Sequence, residues 1–202
     1  MEDVLESRPV FDRLSASHSS RADLLRRVSA STHLSRTMRR AVRVLAEANI
    51  PSLVVGGYAV QENGYPRFTS DVDLIVPVVS LARERLSMHG FRENPGSSMT
   101  VTDRATKVEV DLLPGGGTVG PGPMALPMPS VVSLEPQIAD LRTLIEIKLS
   151  SYLGSPRSRV KDLADVTELI KANSLKLEQE LAEPVVNTYR SVWQGLRDEG
   201  AI

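Results

Sequence analysis

The chain has no cysteine, only three histidines and just 4% aromatic residues among its 202 positions. Without cysteine there is no disulfide framework, no thiolate zinc site and no cysteine nucleophile. His18, His33 and His89 are scattered without ligand spacing, and no Gly-x-Ser-x-Gly elbow occurs. A zinc enzyme and a Ser-His-Asp hydrolase are therefore not expected. Long apolar runs are also missing: the longest, Leu53 to Val60, is too short to span a bilayer. The start, Met1-Glu2-Asp3-Val4, is acidic where a signal peptide would be basic, so a cytoplasmic protein with no membrane contact is expected. Nor is there an excess of one charge. Twenty-four Lys and Arg face 25 Asp and Glu, so attraction to a polyanion needs a local patch. What is present, 41% hydrophobic and 24% charged residues, is the composition of a folded domain with at most a small appendage.

The pattern along the chain predicts an α+β fold. Residues 1–36 mix Ser, Arg and short apolar pieces and read as a helical arm. Met38, Ala41, Val42 and Leu45 then recur at helical spacing, with Asn49 and Pro51 as the stop. Leu53 to Val55 reads as a strand leading through Gly56-Gly57 into a helix over Tyr58 to Glu62. A second strand is expected over Asp71 to Val76, a helix over Leu81 to His89, and a hairpin from Met99–Asp103 and Lys107–Leu113. Five glycines and five prolines between Pro114 and Pro129 exclude helix and central strand, which predicts a surface loop. Beyond it the pattern is helical: Ile138 to Leu153, Ser158 to Ala172, Leu175 to Leu181 and Pro184 to Arg197. The expected organisation is an arm at 1–36, a core at 37–135 and a helical subdomain at 136–202.

Within that frame the chemistry concentrates in Thr69-Ser70-Asp71-Val72-Asp73-Leu74. Alternation along a strand puts Asp71 and Asp73 on one side and Val72 and Leu74 on the other. Two carboxylates so placed repel unless a divalent cation sits between them, and hard oxygen ligands suit Mg²⁺ or Mn²⁺. In Val108-Glu109-Val110-Asp111-Leu112 the acids again share one face, so a third carboxylate can join the pair. Asp111 is preferred over Glu109 as lying at the strand end. Three carboxylates could hold two ions, a clamp suited to in-line phosphoryl displacement. Gly56-Gly57, after a strand and before a helix, lets backbone N–H groups approach a triphosphate; a side chain at Gly57 should weaken nucleotide binding and leave the fold intact. Arg67 could contact pyrophosphate or pair with a strand acid.

The succession Gly-Gly-Tyr-Ala-Val, Arg67-Phe68-Thr69-Ser70-Asp71-Val72-Asp73, Val108-Glu109-Val110-Asp111, Lys148 and Lys161-Asp162-Leu163-Ala164-Asp165 resembles the DNA-polymerase-β-type nucleotidyltransferases. It is most similar to their small bacterial branch, which holds abortive-infection toxins and small-molecule nucleotidyltransferases. The resemblance runs from Thr37 to Ala172. It implies a mixed sheet flanked by helices, a C-terminal helical subdomain, and metal-dependent transfer of a nucleoside monophosphate from an NTP to an acceptor hydroxyl. It further implies Asp71, Asp73 and Asp111 as ligands of two Mg²⁺ or Mn²⁺ ions, Gly56 and Gly57 as the phosphate turn, and Lys148 on the triphosphate. Lys161, Asp162 and Asp165 would face the cleft. Tyr58 stands where many relatives carry Ser or Thr after the glycines, which leaves the phosphate-gripping hydroxyl to Thr69 or Ser70. The acceptor could be an RNA 3′ end, a protein side chain or an antibiotic-like compound. A toxin-antitoxin module with a protein antitoxin is a further expectation. Between Arg21 and Arg43, seven arginines stand against the single acid Asp23, either a solvated face or a track for RNA.

Overall fold

The computed structural model describes residues 32–202. Most of the expected arm, with Arg21, Arg26 and Arg27, lies outside the described residues. The first helix, α1 (His33–Glu47), starts before the expected Thr37 and buries Met38, Ala41, Val42 and Leu45 along one stripe. It ends where Asn49 turns left-handed at φ 59° and the Ile50 N–H closes back on the Leu45 carbonyl.

Strand β1 (Leu53–Val55) runs directly into α2 (Gly56–Glu62). Then follow β2 (Asp71–Val76), α3 (Val79–Met88), β3 (Phe91–Glu93), β4 (Thr100–Asp103) and β5 (Glu109–Pro114). The sheet has the order β1-β2-β5-β4-β3, with β2 and β5 parallel and every other pair antiparallel. It is the mixed sheet expected from the sequence, with β3 as an unforeseen edge strand of three residues.

The two faces of β2 and β5 differ. Val72, Leu74, Val76, Val110 and Leu112 pack under α1 and α3 in one buried cluster. On the other face Asp71, Asp73 and Ile75 follow one another, as do Glu109, Asp111 and Leu113. The far end of that face is covered: Ile75 and Leu113 pack with Val55, Leu126, Ala139 and Ile147. The near end, which carries the acids, is left polar.

Three helices follow, α4 (Leu141–Gly154), α5 (Val160–Ala172) and α6 (Glu183–Asp198). They share a core with Ala59 and Val60 of α2, built on Leu144, Leu149, Val166, Ile170 and Tyr189. Two expectations need correction. Helix α4 begins at Leu141, not Ile138, because Gln137 to Ala139 pair with the free edge of β1 (Val54 N–H to Gln137 O, 2.7 Å; Ala139 N–H to Val54 O, 2.9 Å) and Asp140 then caps the Thr143 N–H. No helix forms over Leu175 to Leu181. Ser174 is left-handed at φ 49°, and the Leu175 and Lys176 carbonyls accept from Trp193 Nε1 and Tyr189 OH at 2.8 and 2.7 Å. Those two side chains of α6 take over acceptors that a helix would have used itself. The Gly/Pro segment is irregular as expected, yet it is anchored: Leu126 is buried, and Ser150 Oγ accepts from the Met124 N–H at 3.0 Å. No helix among the described residues is long and apolar enough to cross a membrane.

Candidate functional site

The register of the parallel pair places Asp73 beside Asp111 and Asp71 beside Glu109. Neighbouring strands lie about 4.8 Å apart, so four acids form a two-by-two array on the uncovered end of the sheet. Asp111 does not lie at the strand end, contrary to the sequence reading: it is third of the six residues of β5, and Glu109 is the terminal one. What separates them is environment. Glu109 is exposed and accepts from Asn94 Nδ2 at 2.9 Å, whereas Asp111 stands next to Asp73 and accepts from Thr100 Oγ1 at 2.6 Å.

Each carboxylate is held by its own local donor. Asp71 Oδ1 accepts from Thr69 Oγ1 at 2.8 Å, Asp111 from Thr100, and Asp73 from the Gly57 backbone N–H. Like charges splayed onto separate donors do not converge by themselves, and among the described residues no three Asp, Glu or His side chains form a ready-made metal group. The strain of the arrangement shows in Asp73. Burial, then the charges of Asp71 and Asp111, push its pKa up to about 6, against the opposing pull of Lys148 and Gly57. Burial also raises Asp111, with Thr100 opposing and Asp71 and Glu109 adding to the rise. The donor set is all carboxylate oxygen and carries uncompensated negative charge, which fits a hard divalent cation.

The glycine turn is built around these acids. Gly56 has φ 63°, and a Cβ there would overlap the Asp73 carboxylate; a Cβ at Gly57 would overlap Thr69. Gly57→Val therefore cannot leave the fold undisturbed, contrary to the sequence reading. Tyr58 turns its ring into the buried core beside α1. Thr69 packs directly on Gly57, while Ser70 is exposed.

Arg67, Lys148, Asp162 and Asp165 do not stand free in a cleft. Lys148 Nζ lies 2.7 Å from Asp162 Oδ1 and 2.8 Å from Asp165 Oδ2. Arg67 lies 2.7 Å from Asp165 Oδ1 through Nε and donates from Nη2 to Oδ2 at 3.0 Å. Ser151 Oγ donates to Asp162 Oδ2 at 2.7 Å. Arg67 thus pairs with a helix acid, neither of the partners considered from the sequence. The Arg67 side chain keeps 11% exposure beside 2% for Asp165, whereas Lys148 is buried between Asp162 and Asp165. The Arg67 carbonyl accepts from Gln61, which ties the segment to α2. Lys161 is exposed, one residue ahead of the buried Asp162.

Sequence reading missed Thr100, Asn94, Ser151 and Gln61. Two were discoverable: Ser151 lies three residues after Lys148 on one helix face, and Thr100 alternates with Thr102 on the strand facing Asp111. Of the arginine stretch, Arg40 is committed to structure. It pairs with buried Asp103 at 2.7 Å, donates to the His89 carbonyl at 2.6 Å and lies over Phe91, 5.0 Å from its ring centroid. Arg39 pairs with Glu135 at 3.3 Å; Arg36 and Arg43 are exposed.

No family model and no curated protein sequence matches the chain. Among solved structures it is similar to ANT(2″)-Ia in complex with adenylyl-2″-tobramycin (15% identity, TM-score 0.48, 80% of this chain and 97% of that one). It is also similar to the solution structure of the antibiotic-resistance factor ANT(2″)-Ia (17%, 0.45, 79% and 90%). A third similarity is to a tRNA nucleotidyltransferase complexed with a primer tRNA and an incoming ATP analog (15%, 0.35, 79% and 52%).

Proposed function

We propose that the protein is a nucleotidyltransferase that moves a nucleoside monophosphate from an NTP to an acceptor hydroxyl and releases pyrophosphate. The observation that carries this is the register of Asp73 with Asp111 beside a glycine turn whose Gly57 N–H donates to Asp73. Asp71 and Asp73 would hold two Mg²⁺ or Mn²⁺ ions, with Asp111 completing the acceptor side. Bound ions would supply charge neutralisation at the reacting phosphate.

The protein's own groups do the rest. Gly56 and Gly57 let Asp73 and Thr69 pack directly against the turn, which sets both side chains beside the phosphates, and the hydroxyl of Thr69 takes the place that Tyr58 leaves empty. Arg67 and Lys148 face the departing pyrophosphate, with Lys161 at the rim. Asp162 and Asp165 orient the two cations. The acceptor oxygen attacks the α-phosphorus as the bond to the β-phosphate oxygen breaks, and its proton passes to Asp111, the carboxylate on the acceptor side. Catalysis is positioning and charge stabilisation.

Asp71 and Asp111 stay half-exposed on either side of the more enclosed Asp73, which favours a macromolecular acceptor over a small compound that must be largely enclosed. The sequence resemblance extends the reading to a toxin held by a protein antitoxin. Incubation with each labelled NTP, Mg²⁺ or Mn²⁺, and either total RNA or a protein lysate tests the proposal. Label should enter one pool and be absent with Asp73→Asn; label in neither pool under any NTP contradicts it.

A further inference from the structure

The surface beside Asp111 continues outward as a polar floor. Thr100 lies in register with Asp111 and Thr102 with Glu109, and Arg92 of β3 lies in register with Thr102. Side chains in register share a face, so Arg92, Thr102 and Glu109 form one row across three strands and Thr100 with Asp111 the next. Thr102 Oγ1 donates to Asn94 Oδ1 at 2.7 Å, and Asn94 donates onward to Glu109. Among the described residues no helix covers this floor: α1 and α3 pack on the opposite face, and the apolar cover over Ile75 and Leu113 sits at the far strand end.

The floor runs out at a basic rim. Arg104 and Lys107 occupy the turn between β4 and β5, and Arg92 lies beside it on β3. All three are exposed, and their side chains make no hydrogen bond or ion pair among the described residues. The acid of the turn, Asp103, is buried and already neutralised by Arg40, with Thr37 donating to it as well. Three cations therefore stand at or beyond the Glu109 end of β5, which lies two strand residues, about 7 Å, from Asp111. The acids nearest them are Glu109, held by Asn94, and Glu93, paired with Arg83.

We infer that Arg92, Arg104 and Lys107 grip the phosphate backbone of a single-stranded RNA whose 3′ hydroxyl reaches Asp111 past Asn94 and Thr100, with Thr102 buried beneath. This rests on the nucleotidyltransferase reading and names its acceptor. Charge decides between the two macromolecular acceptors. A chain bearing one phosphate per residue is drawn to three cations without an ion-pair partner near the reacting end, and the half-exposed Thr100 and Asn94 suit ribose hydroxyls. A protein hydroxyl has no comparable need for them. The track differs from the arginine stretch read in the sequence, whose Arg40 is committed to Asp103.

The test is fluorescence anisotropy of a labelled 12-nucleotide single-stranded RNA in EDTA, so that no transfer occurs, between 50 and 200 mM KCl. The triple variant Arg92→Gln, Arg104→Gln, Lys107→Asn is compared with wild type; Asn suits the left-handed backbone at position 107, φ 66°. Removing three phosphate-binding charges should lower the salt slope by about 2 and weaken binding at least tenfold at 50 mM. ATP binding in Mg²⁺, followed by calorimetry, should be unchanged, which also shows that the variant is folded. Equal RNA affinity and slope in both proteins, or no RNA binding by wild type at 50 mM, overturns the track while leaving the nucleotide site standing. Failure of wild type to bind ATP with Mg²⁺ would instead overturn the reading beneath it.

Discussion

Asp73 and Asp111 are side-by-side partners on two parallel strands, and among the described residues no basic side chain is ion-paired with either. Arg67 and Lys148, the nearest cations of the site, are ion-paired to Asp165 and Asp162 on α5. The acids and the cations of the site are thus partitioned: one set waits for positive charge, while the other is held in place by negative charge.

The first consequence is a pH dependence. The Asp73 pKa is raised to about 6 in the folded protein, against 3.8 for an ordinary aspartate. The folded state therefore holds this proton more tightly than the unfolded chain. The stabilisation is complete below pH 3.8 and is lost as pH rises through 6. In EDTA, wild type should melt at a lower temperature at pH 7.5 than Asp73→Asn does, and the gap should shrink toward pH 5. A gap of the opposite sign would refute the raised pKa.

Removing a carboxylate should separate the four acids. Asp71→Asn, Asp73→Asn and Asp111→Asn should each lose at least tenfold in Mn²⁺ affinity by calorimetry. Glu109→Gln, which only frees Asn94, should stay within threefold of wild type. Loss of Mn²⁺ binding in Glu109→Gln with retention in Asp111→Asn would reverse the assignment.

Breaking the ion-pair network should cost stability as well as activity. Asp165→Asn leaves Arg67 and Lys148 without their shared carboxylate, and losing one partner of a buried pair costs about 3–5 kcal/mol. Urea denaturation should show that loss. Lys148→Met leaves Asp165 its Arg67 partner but takes from buried Asp162 its ion-pair partner, so it should destabilise to a similar degree and also weaken ATP binding.

Gly56→Ala forces a side chain onto the Asp73 carboxylate at a left-handed backbone position. Backbone strain of this kind costs about 1–3 kcal/mol. The variant should lose stability and Mn²⁺ affinity together, whereas Gly195→Ala, which meets no atom within 4 Å inside α6, should gain about 0.5–1 kcal/mol in stability and leave Mn²⁺ affinity unchanged.

The acid array was legible because strand alternation is a local rule: Asp71, Asp73, Glu109 and Asp111 fall on one face of any strand drawn through them. The ground on which the sequence favours Asp111, a place at the strand end, fails, since strand limits and register depend on pairing between segments some forty residues apart. Arg67 with Asp165 was out of reach for the same cause; 98 residues separate them. The false helix at Leu175–Leu181 shows the converse. Its local pattern is helical, but Trp193 and Tyr189 arrive from α6 to claim its carbonyls. At β3 the strand is only three residues long, too short for any period to show.

The most direct test of the central claim follows the phosphates of the NTP. With Mg²⁺ and an RNA acceptor, label at the α-phosphate should appear on the RNA and label at the γ-phosphate should leave as pyrophosphate, and Asp111→Asn should abolish both. Transfer of the γ-label to an acceptor, or α-label incorporation undiminished in Asp111→Asn, would contradict it.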